Sequence, residues 1–207
     1  MTTRTLAVVS AGLGRPSSTR LLADRLAAAA EGALRERGSD VAVEPVDLRD
    51  HAHALVDNLL TGFPAAPLRA VVEAVTGADG LIAVTPIFNA SYSGLFKTFF
   101  DVLDKDALEG RPVLIGATGG TARHSLALDH SVRPMLAYLR ANVVPTGVYA
   151  ASEDWGSGGD GALTERVDRA GAELAGLIEG RAPAGRPDPY ADPVPFAEML
   201  AAGRSPS

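Results

Sequence analysis

Cysteine is absent from all 207 residues. That excludes disulfides, thiolate metal sites and a cysteine nucleophile. Positive charge is outnumbered: 19 Lys and Arg stand against 25 Asp and Glu, a net charge of −6. This balance argues against nucleic acid as the main partner. No uninterrupted apolar run reaches membrane-spanning length. The first four residues are polar and lead straight into a predicted strand, so no signal peptide is expected. A soluble cytoplasmic protein is the expectation. The four His are scattered without a His-x-x-x-His pattern, so no protein-bound catalytic metal is expected.

The first strand-to-turn segment is also informative through what it lacks. The apolar run from Thr5 to Val9 feeds Ser10-Ala11-Gly12-Leu13-Gly14-Arg15-Pro16-Ser17-Ser18-Thr19. No Lys-Ser/Thr pair follows a glycine, which excludes the nucleoside-triphosphate loop. The third glycine of the dinucleotide fingerprint is missing as well. What remains is a polar turn leading into a helix from about Ser18. Backbone N–H groups and the positive helix end there make an anion site. Ser10, Ser17, Ser18 and Thr19 add hydroxyls, and Arg15 adds a charge. Such a loop suits a singly phosphorylated ligand that stays bound and is not cleaved, and flavin mononucleotide (FMN) is the candidate. The alternative is an ordinary polar turn with Ser17 as helix cap.

Strands and helices alternate along the chain. Predicted strands are Thr5–Ser10, Val41–Val46, Gly80–Thr85, Pro112–Ala117 and Val143–Tyr149, the last an edge or bulged strand because of Pro145. Predicted helices are Thr19–Arg37, Leu68–Thr76, Ser93–Leu103, much of Ser125–Arg140, and Ala162–Glu179. The segment from Asp47 to Pro67 reads as a loop. Five strands alternating with helices imply a doubly wound, five-stranded parallel sheet with helices on both faces. Functional loops then lie at the carboxyl ends of the first, third and fourth strands. One domain is expected over residues 1–180. Residues 181–207 form a Pro/Gly/Ala-rich arm in which Val194–Leu200 is a short docking element.

The other two loops complete a flavin-sized site. Pro86, Ile87, Phe88 and Asn89 offer apolar surface beside an amide, as a flat heteroaromatic ring requires. The alternative is a loop in which Ile87 and Phe88 simply bury themselves. Thr118, Gly119 and Gly120 allow close backbone approach, which would serve the flavin carbonyls, although a Gly-Gly pair is also a common turn. His124 is read as a surface residue rather than a catalyst.

Ser10 with Arg15–Thr19, Pro86–Ser91, Gly94–Thr98 and Thr118–Gly120 resemble the NAD(P)H-dependent FMN reductases, which are flavodoxin-like. The likeness covers residues 5–150. His124–Leu126, Arg133–Leu136 and Ala150–Gly156 look like the actinobacterial branch. Phe88 stands where many relatives carry Tyr. The resemblance implies hydride transfer from NAD(P)H to FMN with no catalytic side chain, and supply of reduced flavin to a partner flavin-dependent monooxygenase. An FMN-containing quinone or azo reductase is the alternative. A flavodoxin-type electron carrier ranks below both, because aromatics are only 5% of the chain.

Two further expectations concern the periphery. Leu95, Phe96, Phe99, Phe100, Val102 and Leu103 spread over more than half of their helix. A core-facing helix needs a narrower stripe. A homodimer or homotetramer seam there is expected, unless the C-terminal arm covers the excess. Asp154–Gly161 is too Gly-rich for regular structure and reads as a mobile loop. Its Trp155 either crosses a neighbouring subunit's flavin mouth or pins the loop to its own helix.

Overall fold

The computed structural model describes residues 3–156 and 160–181. The arm and its Val194–Leu200 element lie outside the described residues. So do residues 157–159 of the Gly-rich segment.

A parallel sheet organises the chain. Its strands are β1 (Thr3–Ser10), β2 (Asp40–Asp47), β3 (Gly80–Phe88), β5 (Pro112–Gly119), β6 (Asn142–Val143) and β7 (Val148–Ala151). The spatial order is β2-β1-β3-β5, and β6 and β7 both pair with β5 as the outermost position. A two-residue strand, β4 (Ser91–Tyr92), folds back antiparallel onto β3. This is the flavodoxin-like doubly wound order, whose chain reverses direction between β1 and β3.

Strand alternation divides the core into two layers. Leu6 and Val8 of β1 face one side with Ile82, Val84 and Leu114. Ala7 and Val9 face the other with Leu81, Ala83, Val113 and Ile115. The first side is covered by α1 (Ser18–Glu36) and α6 (Asp160–Glu179). Leu22, Leu26, Ala30 and Leu34 of α1 recur every fourth residue and are all buried, as an amphipathic helix requires. α6 lies very close: a Cβ on Gly171 would fall 2.8 Å from the Ala29 carbonyl carbon. The second side is covered by α2 (Ala52–Thr61), α3 (Ala66–Gly77), α4 (Gly94–Asp101) and α5 (Arg133–Tyr138).

Four segments depart from the sequence reading. The expected loop Asp47–Pro67 contains a 3-10 turn, Leu48–His51, and the helix α2. Only Leu55 and Asn58 of α2 are buried, and no side chain caps its start, so its periodic signal is thin. Its end was readable: Gly62 sits at φ +76°, the left-handed stop that glycine favours. The helix expected over much of Ser125–Arg140 is present from 127 to 138, but its first half is a π turn (Leu128–Val132) that runs directly into α5, and a separate 3-10 turn (Ala122–His124) precedes it. Pro134, in the first turn of α5, has no N–H to donate, and the π turn lies directly before it. The fifth strand is split around Pro145 into β6 and β7, since proline cannot donate to the ladder. Finally, Ser152–Trp155 is a 3-10 turn rather than part of a mobile loop. Asp154 holds it by accepting from the Ala151 N–H at 2.8 Å and pairing with Arg166 at 3.2 Å.

The apolar face of α4, expected to exceed what one chain can cover, is largely buried in this chain. Phe96, Phe99, Phe100 and Leu103 are buried within this chain, and Leu95 and Val102 pack partly buried against the same core. Phe96 and Phe100 stack at 4.8 Å between centroids, and Phe99 meets Phe100 edge-on at 5.3 Å. Most of the wide apolar face is therefore covered within this chain, by α2 and the sheet. No helix among the described residues is long and apolar enough to cross a membrane.

Candidate functional site

The loops after β1, β3 and β5 meet at the carboxyl edge of the sheet, where the strand order reverses. The Ala11 N–H donates to the Val84 carbonyl at 3.0 Å and fixes the first loop beside the third strand. Between the loops lies an open cleft of about 310 Å³. Ser17, Ser18 and Thr19 line one wall, Pro86, Ile87 and Phe88 a second, and Thr118, Gly119 and Gly120 a third. The structure thus brings together nine residues that sequence reasoning assigned to one site from three distant segments.

The first wall is a helix start. Ser17 caps α1, its Oγ accepting from the Arg20 N–H at 3.2 Å. The N–H groups of Ser18 and Thr19 have no acceptor among the described residues, as expected for the first residues of a helix. Thr19 Oγ1 and Thr118 Oγ1 lie 2.8 Å apart and tie this wall to the third. Two hydroxyls carry two protons and their mutual bond uses one. Gly12 makes the turn possible: a Cβ there would lie 2.0 Å from Ser17 Oγ.

The second wall is a hairpin rather than a loop leaving the sheet at Pro86. β3 continues through Phe88, and Phe88 pairs with Ser91. Asn89 and Ala90 form the two-residue turn between them at φ +49° and +68°. Two left-handed residues match the right-handed strand twist of a primed hairpin turn. At the base, Thr85 Oγ1 accepts from the Ser93 N–H at 3.0 Å and anchors the start of α4.

The third wall offers bare backbone. Gly120 lines the cleft, and a Cβ built on it meets nothing within 4 Å. Gly119 is restricted instead, since a Cβ there would lie 2.1 Å from Tyr149 Oη. Tyr149 donates its hydroxyl to the Thr121 carbonyl at 2.9 Å. Burial pushes its pKa above the usual tyrosine value, so it remains a donor.

Three expected site residues do not line the cleft. Ser10 is fully buried, and its Oγ lies 3.5 Å from the Gly12 N–H, inside the loop. Arg15 points outward to Asp50, with Nη2 3.6 Å from Oδ1, both exposed. Asn89 sits in the hairpin turn and is not part of the cleft wall. His124 sits at the end of its exposed 3-10 turn, also away from the cleft. Conversely, Leu13, Gly14, Pro16, Ser152 and Trp155 line it and were not assigned to it. Trp155 closes one side of its own chain's cleft while the Arg25 guanidinium of α1 rests 5.1 Å from its ring centre. It therefore both pins the turn to its own helix and borders the site. A larger cavity of about 610 Å³ lies between α4 and α5, lined by Lys97, Phe100, His130 and Met135 among others. It lies away from the strand ends and shares no lining residue with the cleft.

The pattern of known proteins agrees with this geometry. The model of the NADPH-dependent FMN reductase family matches residues 4–156. An FMN reductase (NADPH) of Pseudomonas aeruginosa is 39% identical over 149 residues, covering 71% of this chain and 76% of that protein. An NADH-dependent FMN reductase, SfnF, of Pseudomonas putida is 38% identical over 146 residues, covering 70% and 76%. Among solved structures, an oxidoreductase from Corynebacterium diphtheriae superposes with a TM-score of 0.85 at 47% identity, covering 88% of this chain and all of that one. The chain belongs to the NADPH-dependent FMN reductase family.

Proposed function

We propose that this chain is an NAD(P)H:FMN oxidoreductase whose flavin occupies the cleft at the β1–β3 switch point. The observation that carries the reading is the convergence there of a helix start whose first two N–H groups are free, an apolar hairpin lip and exposed glycine backbone. Each matches one part of FMN. The free N–H groups of Ser18 and Thr19, with the Ser17 and Ser18 hydroxyls, suit a phosphate. Ile87 and Phe88 give apolar surface for a ring face, and Gly119–Gly120 give backbone for a ring edge. Ser10 and Asn89 contribute by shaping the first and second loops rather than by contact.

Hydride transfer from nicotinamide C4 to flavin N5 is chemistry that the two cofactors bring when bound. The chain supplies orientation. Ser17, Ser18 and Thr19 would hold the phosphate end of a bound flavin, and the hairpin lip and Trp155 would border its ring, with the mouth beside Phe88 left open for the nicotinamide. Among the described residues no acidic or basic side chain lines the cleft, and we assign no proton-transfer step to a side chain.

The deciding experiment is NAD(P)H oxidation by purified protein with and without added FMN. Oxidation that depends on FMN and saturates with it is expected. Oxidation indifferent to FMN, by protein that carries no flavin, would overturn the reading. We further propose that the reduced flavin serves a separate monooxygenase in the cytoplasm, as the family resemblance implies. Self-association is also proposed. It is supported by the outward-facing Leu60 and Phe63 of the α2 region and Tyr138 of α5, each 81% exposed. Sedimentation at micromolar concentration tests it, and a monomer there refutes it.

A further inference from the structure

We infer that Arg49 is a positioning residue for the phosphate loop. It lies in the 3-10 turn after β2, a segment outside the cleft and without a role in the site described above. Leu48, its neighbour, is fully buried and packs in the same core layer as α4, so the turn is a fixed point. From it the Arg49 guanidinium reaches across to the first loop. One nitrogen, Nη1, donates to two successive carbonyls, Leu13 O at 3.0 Å and Gly14 O at 3.2 Å. The next residue, Asp50, takes Arg15 of the same loop at 3.6 Å.

The consequence follows from peptide geometry. In a planar trans peptide the C=O and the N–H point in opposite directions. Leu13 O shares its peptide with the Gly14 N–H, and Gly14 O shares its peptide with the Arg15 N–H. Holding both carbonyls toward Arg49 turns both N–H groups away from it. Those two N–H groups have no acceptor among the described residues. Leu13 and Gly14 both line the cleft, whereas Arg49 does not. Without the clamp, either peptide could rotate and present a carbonyl where an anion needs a donor. Arg49 thus sets the polarity of the loop without touching the ligand. Nη1 is a planar NH2 group with two diverging N–H bonds, so this one nitrogen can serve both carbonyls.

The inference rests on the phosphate lying at residues 14–19, and its test separates the two. FMN and riboflavin dissociation constants are measured by titration for Arg49→Ala, Arg49→Lys and Ser17→Asp. The expected result for Arg49→Ala is an FMN dissociation constant raised about fivefold or more. The riboflavin constant stays within about twofold and the melting temperature is unchanged, because the side chain is only half-buried. Arg49→Lys keeps the charge, so it recovers only part of the loss. Full recovery by Lys would assign the effect to charge alone and overturn the clamp. An unchanged FMN constant, or equal losses for both flavins, would overturn it too. If Ser17→Asp also leaves FMN binding intact, the phosphate reading itself has failed; if it weakens FMN alone, only the clamp has.

Discussion

Ser17 serves two roles that a single substitution separates. Its oxygen caps α1 and its proton remains free for a ligand. Asp is an equally good cap, so Ser17→Asp keeps the helix while setting a negative charge against a phosphate. The FMN dissociation constant should rise at least about tenfold, with riboflavin less affected. Equal changes for the two flavins would remove the phosphate from this wall. Gly119 tests the opposite wall. Ala at this position must push Tyr149 Oη off the Thr121 carbonyl. That costs about 1–3 kcal/mol, the price of a strained core and a broken buried hydrogen bond. Thermal melts of Gly119→Ala with and without Tyr149→Phe should then be strongly non-additive; simple additivity would mean the two groups do not meet. At this scale the sequence was readable for hydroxyls and glycines, since residue type carries their chemistry. It did not reveal that Ser10, Arg15 and Asn89 sit back from the cleft wall. Ser10 meets a backbone N–H, Arg15 pairs with a turn 35 residues away and Asn89 sits in a hairpin turn, and none of these surroundings is visible in the local motif.

Elements whose signal is periodic and long, such as α1 and the central strands, follow directly from the residue pattern. Those governed by one competing residue do not. Pro145 breaks a strand that periodicity alone would continue, and α2 is nearly unreadable because its buried stripe is two residues wide. The β3–β4 hairpin was missed because Asn89-Ala90 lacks the glycine that marks such turns. Ala90 at φ +68° is a strained choice. Ala90→Gly should relieve about 1 kcal/mol of that strain, partly offset by the greater freedom of the unfolded chain. A small rise in melting temperature is expected, and a clear fall would mean the turn is relaxed as it stands. At the far end of the sheet, Glu179 closes α6 onto the start of β2. It accepts from Ser39 Oγ at 2.7 Å, and Arg4 lies 3.5 Å away. The Ser39 hydrogen bond, with help from Arg4, lowers its pKa in the folded state. A lowered folded pKa favours the native state above the ordinary carboxylate value, and this contribution is lost as pH falls through the folded value. Glu179→Gln should therefore flatten the acid limb of stability against pH and leave the alkaline limb alone. An unchanged acid limb would show that the contact contributes nothing.

The whole molecule places its functional loops by topology. The order β2-β1-β3-β5 creates one switch point, and the three loops recognised separately in the sequence can meet only there. What topology does not set is how long a flavin stays, and here the arrangement of charge decides. The one cation of the phosphate loop, Arg15, is drawn outward by Asp50. The phosphate wall then offers hydroxyls and N–H groups, each contributing about 1 kcal/mol of net binding. The ring wall is equally open, with Phe88 46% exposed at the lip. A site of neutral donors and a half-exposed lip favours exchange over permanent retention. The expected dissociation constant for oxidised FMN is therefore on the order of micromolar. Protein passed through gel filtration should lose its flavin absorbance and its NAD(P)H oxidation, and added FMN should restore both. Releasing Arg15 with Asp50→Asn should tighten FMN severalfold and steepen the salt dependence of binding, because a freed guanidinium can pair with phosphate. Flavin retained at one per chain through filtration would make FMN a resident group, and the quinone or azo reductase reading would then gain over flavin supply.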